Sequence, residues 1–449
     1  MHIFLYKIAC PLNKYPIMRP FPFRLCGLLT ALAAATSLLT AAPSVVRVVN
    51  DGSGHFSLTK NGAPYEIRGV GGDTHLELAH KLGATTIRTW GAEQLDKQVD
   101  GKTLLDRCQA LDLGVMAGIW IGHERHGFDY GDPAQIKAQR DAVRAVVRKY
   151  KDHPALLIWG LGNEMEGPIG NGQDVRIWNE LNELAKIVHE EDPNHPVATV
   201  IASAATDKVR SLMANYTGLD ILGVNAYASA PGVGKALNEA GWKKPFLLTE
   251  FGPVGQWEVA NTSWGAPIEQ SSRDKAANYY TTHTTVMEDG QGRCLGTFAF
   301  VWGQKQETTS TWYGMFLSTG EKLPSVDAIS YAWTHHWPEN RSPRIEMLDA
   351  TFKQKEIAPN TTVTVTAKAR DSESDPLTYD WQVVAESTDR KTGGDHESTP
   401  PAMPECIVKA DGPALQMRTP AKGGAYRVFC IVRDGKGGAS ADNFPFFVK

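Results

Sequence analysis

The chain has 449 residues, 42% of them hydrophobic, which is enough to build a large core divided over two or three domains. Its formal net charge of −4 argues against a nucleic-acid partner, because nucleic-acid-binding domains present a strongly basic surface. Taken in order, the chain begins with a stretch that predicts targeting and not folded structure.

Residues 1–42 are predicted to be a signal peptide. Arg19 and Arg24 precede an apolar, alanine-rich run at residues 26–39, and small residues follow it, as cleavage of a secretory leader requires. Met18 is an alternative start, because the residues before it add little to this pattern. The run is short for a membrane-spanning helix, and an uncleaved anchor is the alternative. We therefore expect a secreted protein, extracellular or periplasmic, with no membrane span after cleavage.

Four cysteines remain once the leader is removed, and export permits disulfides. Cys406 and Cys430 fall in one short β-rich region and are able to bridge, whereas Cys108 and Cys294 have the isolated positions of core thiols. No pair of cysteines or histidines has the spacing of a zinc site. The sequence predicts no metal and no cofactor.

Residues 43–340 are predicted to form a barrel. Two alternating runs at residues 45–66, with Asn61 and Gly62 at a tight turn, indicate a hairpin that we expect to close the barrel floor. Short apolar strands then alternate with amphipathic helices, which favours an α/β fold of the (β/α)8 TIM-barrel type over an open sheet. The predicted strands are residues 67–70, 85–89, 115–121, 155–161, 196–201, 221–227, 246–248 and 296–302.

The pattern changes after a predicted last helix at residues 326–337, where Pro338 and Pro343 mark a boundary. Residues 343–449 lack helical periodicity and predict a small all-β, immunoglobulin-like sandwich. Its clearest strands are predicted at residues 361–369, 378–384 and 426–432. An acidic run at residues 371–375 is interpreted as a solvated turn, with a calcium site as the alternative.

Two glutamates stand at the ends of predicted barrel strands. Glu164 follows the buried run at residues 155–161, and Glu250 follows the run at residues 246–248. An unpaired buried charge is costly, so a carboxylate at such a place is either paired or functional. The carboxyl ends of barrel strands open onto one face, so we expect the two carboxylates to converge there. Paired carboxylates of this kind suit glycoside hydrolysis.

The residues around both glutamates resemble the active-site signatures of glycoside hydrolase clan A. The similar segments run from His153 to Glu164 and from Pro245 to Gly252, and the barrel is closest to that of family two and also similar to family five. The resemblance implies that Glu164 is the general acid and base and that Glu250 is the nucleophile. It also implies retention of anomeric configuration if the two carboxyls lie about 5 Å apart.

Six further residues at predicted strand ends are candidates for substrate binding: Arg88, His123, Asn163, Asn225, Tyr227 and Trp302. By the resemblance, Asn163 would bond the 2-hydroxyl of the sugar and Trp302 would form the floor beneath it. Arg88 or Tyr227 is expected to keep Glu250 ionised. A structural role is the alternative for each, as an ion-pair partner for Arg88, a loop histidine for His123, and rim packing for Tyr227 and Trp302.

The predicted substrate is a polysaccharide, most readily a β-glucan. Family-two enzymes carry β domains before the barrel that help to build an exo-acting pocket, whereas only a hairpin is predicted here, which suggests an open cleft. Aromatic residues in the loops after the last two strands are able to stack on successive sugar rings: Trp257, Trp264, Trp312 and Tyr313.

Three other functions remain open from the sequence. A transglycosylase would use the same two glutamates, an exo-β-glycosidase of galactosidase, glucuronidase or mannosidase type would act on short glycosides, and a carbohydrate-binding protein would have no activity. Residues 343–449 resemble the PKD-like and cadherin-like appendages of secreted polysaccharide enzymes, which implies a contact with carbohydrate or with a cell surface.

Overall fold

The computed structural model describes residues 42–167, 170–391 and 393–449. The predicted signal peptide, residues 1–42, therefore lies outside the described residues except for Ala42. Within the described ranges, no helix is both long and apolar enough to cross a membrane.

A three-stranded antiparallel sheet precedes the barrel and closes its floor. Its strands are β1 (Val46–Asn50), β2 (Phe56–Lys60) and β3 (Ala63–Tyr65), and the predicted turn at Asn61 and Gly62 has the positive φ angles of 54° and 81° that a tight turn needs. Val46 and Leu58 pack in one cluster with the barrel-interior residues Leu157, Ala198 and Leu247. The expected hairpin thus gains a third strand and closes the floor as predicted.

The next eight strands form a closed parallel barrel in chain order, which confirms the predicted (β/α)8 fold. Each strand is short and buried over its whole length or nearly so, which is why apolar runs without alternation located them. The strands are β4 (Ile67–Gly71), β5 (Thr86–Arg88), β6 (Gly114–Ile119), β7 (Leu156–Leu161), β8 (Val197–Ala202), β9 (Ile221–Asn225), β10 (Phe246–Phe251) and β11 (Cys294–Ala299).

Within the part of the chain that the structure describes, eight helices follow these strands around the barrel, and their N-terminal caps explain several of the boundaries. Asp132, Asp174 and Ser271 each accept a hydrogen bond from a backbone amide in the first turn of a helix. The helices are α1 (Leu76–Lys81), α2 (Leu104–Ala110), α3 (Pro133–Tyr150), α4 (Val175–Glu191), α5 (Thr206–Asn215), α6 (Val233–Ala240), α7 (Ser272–Asp289) and α8 (Pro324–Thr334).

The C-terminal residues form two four-stranded sheets packed around a common core, as the predicted sandwich requires. One sheet has the order β12-β14-β17-β16 and the other β13-β19-β18-β15. The strands are β12 (Arg344–Asp349), β13 (Glu356–Ile357), β14 (Thr362–Arg370), β15 (Thr378–Ala385), β16 (Ile407–Asp411), β17 (Ala414–Arg418), β18 (Gly424–Arg433) and β19 (Ala439–Val448).

Cys406 and Cys430 do not form the disulfide that their positions in the sequence left open, because both thiols are free. Each is buried in the sandwich core among apolar side chains such as Val428 and Phe444. Burial raises the pKa of both thiols, so they behave as small apolar groups. In the acidic run, Asp371 accepts hydrogen bonds from the amides of Glu373 and Asp375, which is the predicted turn.

The barrel and the sandwich belong to one compact unit. Leu317 and Leu323 of the barrel share an apolar cluster with Ile431, Ala439 and Ala441 of the sandwich. Polar contacts add to this cluster: the hydroxyl of Ser272 donates to the carbonyl of Ala441 over 2.7 Å. The predicted boundary near residue 340 falls between α8 and β12, where the two domains are in direct contact.

Candidate active site

Glu164 and Glu250 both border one cleft at the carboxyl end of the barrel, with a volume of about 1150 Å³. Glu250 is the next-to-last residue of β10, and Glu164 follows the end of β7 by three residues. Because β8 and β9 separate these strands in the barrel, the two side chains approach each other across its mouth. Glu250 is only 6% exposed, whereas Glu164 is partly open to the cleft.

Three donors hold the carboxylate of Glu250. Arg88 Nη1 and Trp90 Nε1 each lie 2.9 Å from its Oε1, and the Tyr227 hydroxyl lies 3.2 Å from its Oε2. The contact with Arg88 is an ion pair between two side chains that are almost fully buried. These contacts fix its orientation, so the Glu250 carboxylate is held in place at the base of the cleft.

Glu164 has the opposite electrostatic environment. Burial, together with the negative charges of Glu250 and Glu166, raises its pKa to about 7, while a hydrogen bond of 2.9 Å from Asn225 Nδ2 acts against that rise. Its backbone has a φ of 54°, a left-handed conformation that is uncommon for a residue other than glycine and occurs at functional sites. Glu164 is thus able to hold a proton near neutral pH.

Asn163 shares a hydrogen-bond partner with each glutamate, Arg88 with Glu250 and Asn225 with Glu164. Its Oδ1 accepts from Arg88 Nη2 over 2.7 Å and from Asn225 Nδ2 over 3.1 Å. Since these bonds occupy the oxygen, its amide nitrogen is the group left to donate toward the cleft that Asn163 lines. That nitrogen is therefore free of the contacts that occupy the oxygen and is available to a hydroxyl group in the cleft.

Arg88 and Asn225 are buried organisers of this network. Arg88 is 2% exposed and contacts Glu250, Asn163 and the carbonyl of Thr249, so it positions the site from below. Asn225 borders the cleft, and its Oδ1 accepts a 2.8 Å hydrogen bond from the hydroxyl of Thr249. The structure therefore brings together four predicted residues, Arg88, Asn163, Asn225 and Tyr227, around the two glutamates.

Trp302 does not take the predicted position beneath the sugar. It is 1% exposed, packs edge-on against Phe316 with ring centroids 5.1 Å apart, and contacts the backbone of His75. Phe300 and Val301 border the cleft in its place. The reason is local, because β11 ends at Ala299, whereas the predicted strand ran to residue 302, so Trp302 lies beyond the strand end at which it was placed.

His123 lies in a smaller cavity of about 250 Å³ that Glu164 also borders. Its Nδ1 is 3.0 Å from Arg125 Nη1. Burial and the neighbouring Arg125 charge lower its pKa to about 4, so the ring is neutral at ordinary pH. It is therefore beside the acid and base, and it has no contact with Glu250.

The exposed aromatic residues of the cleft differ in part from those predicted. Trp257 borders it and is 63% exposed, whereas Trp312 and Tyr313 are buried and Trp264 packs against Phe447 of the sandwich. Sequence reasoning missed Trp90 and Trp120, which also border the cleft. Their signal was available, since each follows a buried barrel strand at its carboxyl end.

Comparison with known proteins supports a glycoside hydrolase barrel. Residues 99–256 match the family described as glycosyl hydrolases family 2, TIM barrel domain, which confirms the resemblance to that barrel for these residues. The chain is 22% identical over 343 residues to a probable mannan endo-1,4-beta-mannosidase F of Neosartorya fischeri, covering 61% of this chain and 67% of that protein. It is 27% identical over 156 residues to a beta-galactosidase of Arthrobacter sp. (strain B7), covering 31% of this chain and 14% of that protein.

A solved structure with the same fold is a beta-glucuronidase of Bacteroides uniformis, with a TM-score of 0.50 and 14% sequence identity. The alignment covers 90% of this chain and 48% of that protein, so the chain spans about half the length of the structure it matches. At this identity the likeness shows the fold alone.

The arrangement is suited to glycosyl transfer by acid and nucleophile. One carboxyl group has a raised pKa and faces an open cleft, while the other is fixed by a guanidinium, an indole and a phenol. No group of three or more potential metal ligands occurs among the described residues.

Proposed function

We propose that the protein is a retaining β-glycoside hydrolase in which Glu250 is the nucleophile and Glu164 the general acid and base. The observation on which this proposal depends is the contrast between the two carboxyl groups. Three donors, one of them the Arg88 guanidinium, bind the Glu250 carboxylate, whereas burial and the nearby charge of Glu250 raise the pKa of Glu164 to about 7. Two titratable groups whose environments differ in this way are assigned the roles of base and acid.

In the first step, Glu164 would donate its proton to the glycosidic oxygen while Glu250 Oε attacks the anomeric carbon. The bond to the leaving group breaks, and a covalent glycosyl ester of Glu250 forms through an oxocarbenium-like transition state. Asn163 would donate its amide hydrogen to the 2-hydroxyl, a contact that strengthens in that transition state. Trp90, Tyr227 and Arg88 hold the attacking carboxylate on its line of approach.

The second step reverses the role of Glu164. Esterification removes the negative charge of Glu250, one of the causes that raise the pKa of Glu164, so the pKa of Glu164 falls and its ionised form takes a proton from water. That water attacks the anomeric carbon and frees Glu250. The same pair of residues thus supplies the acid of one step and the base of the next.

For the substrate, we propose β-linked glycosides cleaved from a chain end. The family-two match supports this choice, as does the beta-galactosidase relative. Both relatives described above bear names that refer to mannan or galactosides, so the comparisons give a β-glucan substrate no support. Export, predicted from residues 1–42, remains a proposal that N-terminal sequencing of the mature protein would test.

Internal cleavage of a β-mannan is the second candidate, and two observations favour it. The mannosidase relative aligns with 61% of this chain. The cleft of about 1150 Å³ exceeds the usual size of a small-molecule site, about 300–1000 Å³, and exposes Trp257 and Trp120, which offer apolar faces to sugar rings.

The test is hydrolysis of aryl β-galactosides, β-glucuronides, β-mannosides, β-mannan and β-glucans, with products separated by length. We expect activity in the wild type and its loss in Glu250→Ala. Release of monosaccharide supports chain-end cleavage, oligosaccharides from β-mannan support internal cleavage, and products longer than the substrate indicate a transglycosylase. Full activity in Glu250→Ala would refute the mechanism, and sugar binding without turnover in the wild type would indicate a binding protein.

A further inference from the structure

One loop of the sandwich reaches the mouth of the barrel. This sandwich loop, residues 386–391 and 393–403, connects β15 to the turn before β16. Glu397 holds it there: its side chain is buried and accepts hydrogen bonds from the backbone amides of Thr308 in the barrel, over 2.6 Å, and of Lys391, over 3.0 Å. At the base of the loop, Glu386 is paired with the buried Arg427 over 2.8 Å.

The sandwich loop forms part of the wall of the catalytic cleft. Five of its residues border the cleft that contains Glu164 and Glu250: Arg390, Lys391, Gly393, Gly394 and Asp395. Two of them fit closely against the barrel, because a Cβ on Gly393 would lie 2.8 Å from Arg125 Nη2 and one on Gly394 would lie 2.9 Å from Lys305 Nζ. Both glycines also have positive φ angles, 64° and 75°, which side chains rarely adopt.

The smaller cavity identifies which side of the cleft the loop covers. Gly393 and Glu164 both border this cavity of about 250 Å³, and Glu250 borders only the larger cleft. A general acid gives its proton to the leaving-group oxygen, so the space on the side of Glu164 is where the leaving group lies. The sandwich loop therefore faces the leaving group.

Unpartnered polar atoms in the smaller cavity indicate a polar occupant. His123 Nε2 and Glu124 Oε2 are buried and have no hydrogen-bond partner among the described residues, and both residues border this cavity. Buried polar atoms are nearly always paired, and neutral imidazole with carboxylate would complement sugar hydroxyls. At the rim, Trp120 is 42% exposed and stacks on His126, whose Nε2 lies 3.4 Å from Asp395.

We propose that the sandwich loop and the barrel segment 120–126 together bind a saccharide leaving group, so that the C-terminal domain is a working part of the active site. The inference rests on the proposed glycosidase function and deepens it, because it specifies a leaving group with hydroxyls and at least one ring to stack on Trp120. Asp395 and Arg390 are the residues of the sandwich through which the contact is made.

The test compares two substrates with the same sugar at the chain end, an aryl glycoside and a tetrasaccharide, in the full chain. Asp395→Ala and Arg390→Ala change side chains at the surface, and Asp411→Ala, on the exposed edge strand β16, is the matched control. Loss of a charged hydrogen bond weakens binding about tenfold or more. In the two loop variants, we expect kcat/KM for the tetrasaccharide to fall about tenfold more than kcat/KM for the aryl glycoside. In the control variant, we expect both kcat/KM values to equal those of the wild type. Thermal unfolding of each variant checks that it is folded.

An equal loss on both substrates, or loop variants indistinguishable from Asp411→Ala, would overturn the inference. Failure of the proposed function gives a different result, since the wild type would then hydrolyse neither substrate. In that case calorimetric titration with mannotetraose, cellotetraose and galactotetraose decides the question. Weaker binding in Asp395→Ala than in Asp411→Ala would still support a saccharide site at the loop, and equal or absent binding would refute it.

Discussion

Arg88 Nη1 lies 2.9 Å from Glu250 Oε1, and both side chains are almost fully buried. The same guanidinium donates through Nη2 to Asn163 Oδ1 over 2.7 Å. One planar group therefore sets the position of the proposed nucleophile and of the residue proposed to bind the 2-hydroxyl. The planar fork of arginine makes these two contacts at once, which the ammonium group of lysine cannot reproduce.

Replacing Arg88 is expected to affect stability and activity together. Arg88→Ala leaves the Glu250 carboxylate buried without its cation, which costs about 3–5 kcal/mol of unfolding free energy. Arg88→Lys keeps the charge but loses the fork, so we expect a smaller loss of stability and a marked fall in kcat. Urea unfolding and kcat for both variants test this, and a kcat for Arg88→Lys equal to that of the wild type would contradict the positioning role.

The raised pKa of Glu164 predicts the alkaline limb of the pH profile. Its acid form is required for glycosyl transfer, and its pKa is raised to about 7, so kcat/KM should fall as the pH rises through about 7. Glu164→Gln removes the proton donor and should lower kcat/KM for a poor leaving group about 100-fold or more. The pH profile of Glu164→Gln should lack the alkaline limb. An alkaline limb that persists in this variant would assign the titration to another group.

The role of Asn163 can be tested by comparing a substrate that has the 2-hydroxyl with one that lacks it. The side-chain oxygen of Asn163 is occupied by Arg88 and Asn225, which leaves the amide hydrogens for the 2-hydroxyl. We expect Asn163→Ala to lower kcat/KM about tenfold or more, since an ordinary hydrogen bond contributes about 1 kcal/mol and a transition-state contact more. A 2-deoxy substrate should be equally poor for wild type and variant, and a further loss in Asn163→Ala on that substrate would contradict the assignment.

Sequence reasoning located the barrel well because its strands are buried along their length. The Glu250 strand, predicted at residues 246–248, runs from Phe246 to Phe251, and the other barrel strands agree to within a few residues. α7 is an element for which the sequence predicted no bounds: it has many threonines and tyrosines, which are poor helix formers, and it packs against α8 and β11. The pattern reports burial within one element and does not report contacts between elements.

The residues of the candidate site also fall into two groups, those that a strand end predicted and those that depend on contacts between elements. Glu164, Glu250, Asn163 and Asn225 were predicted because each stands at a strand end. Trp302 was misplaced because the chain leaves the strand geometry at Ala299. The contribution of residues 390, 391 and 393–395 to the cleft could not be predicted, because it depends on how the sandwich packs against the barrel and no local pattern encodes that contact.

The contacts of Arg427 lead us to expect that the barrel and the sandwich unfold together. It is 1% exposed on its side chain and is paired with Glu386 over 2.8 Å, and its Nη2 also donates to the carbonyl of Pro267 in the barrel over 2.9 Å. Arg427→Ala leaves that carbonyl without its donor and Glu386 with only the longer contact of 3.4 Å from Arg390, so we expect a loss of about 3–5 kcal/mol. Because the two domains share an apolar cluster, tryptophan fluorescence and circular dichroism should give one coincident transition in urea, shifted to lower urea in the variant. Arg418→Ala, at the exposed last position of β17, is the control that should leave the transition in place. Two separate transitions in the wild type would show that the domains are independent, and would also remove the rigid support on which the position of the sandwich loop depends.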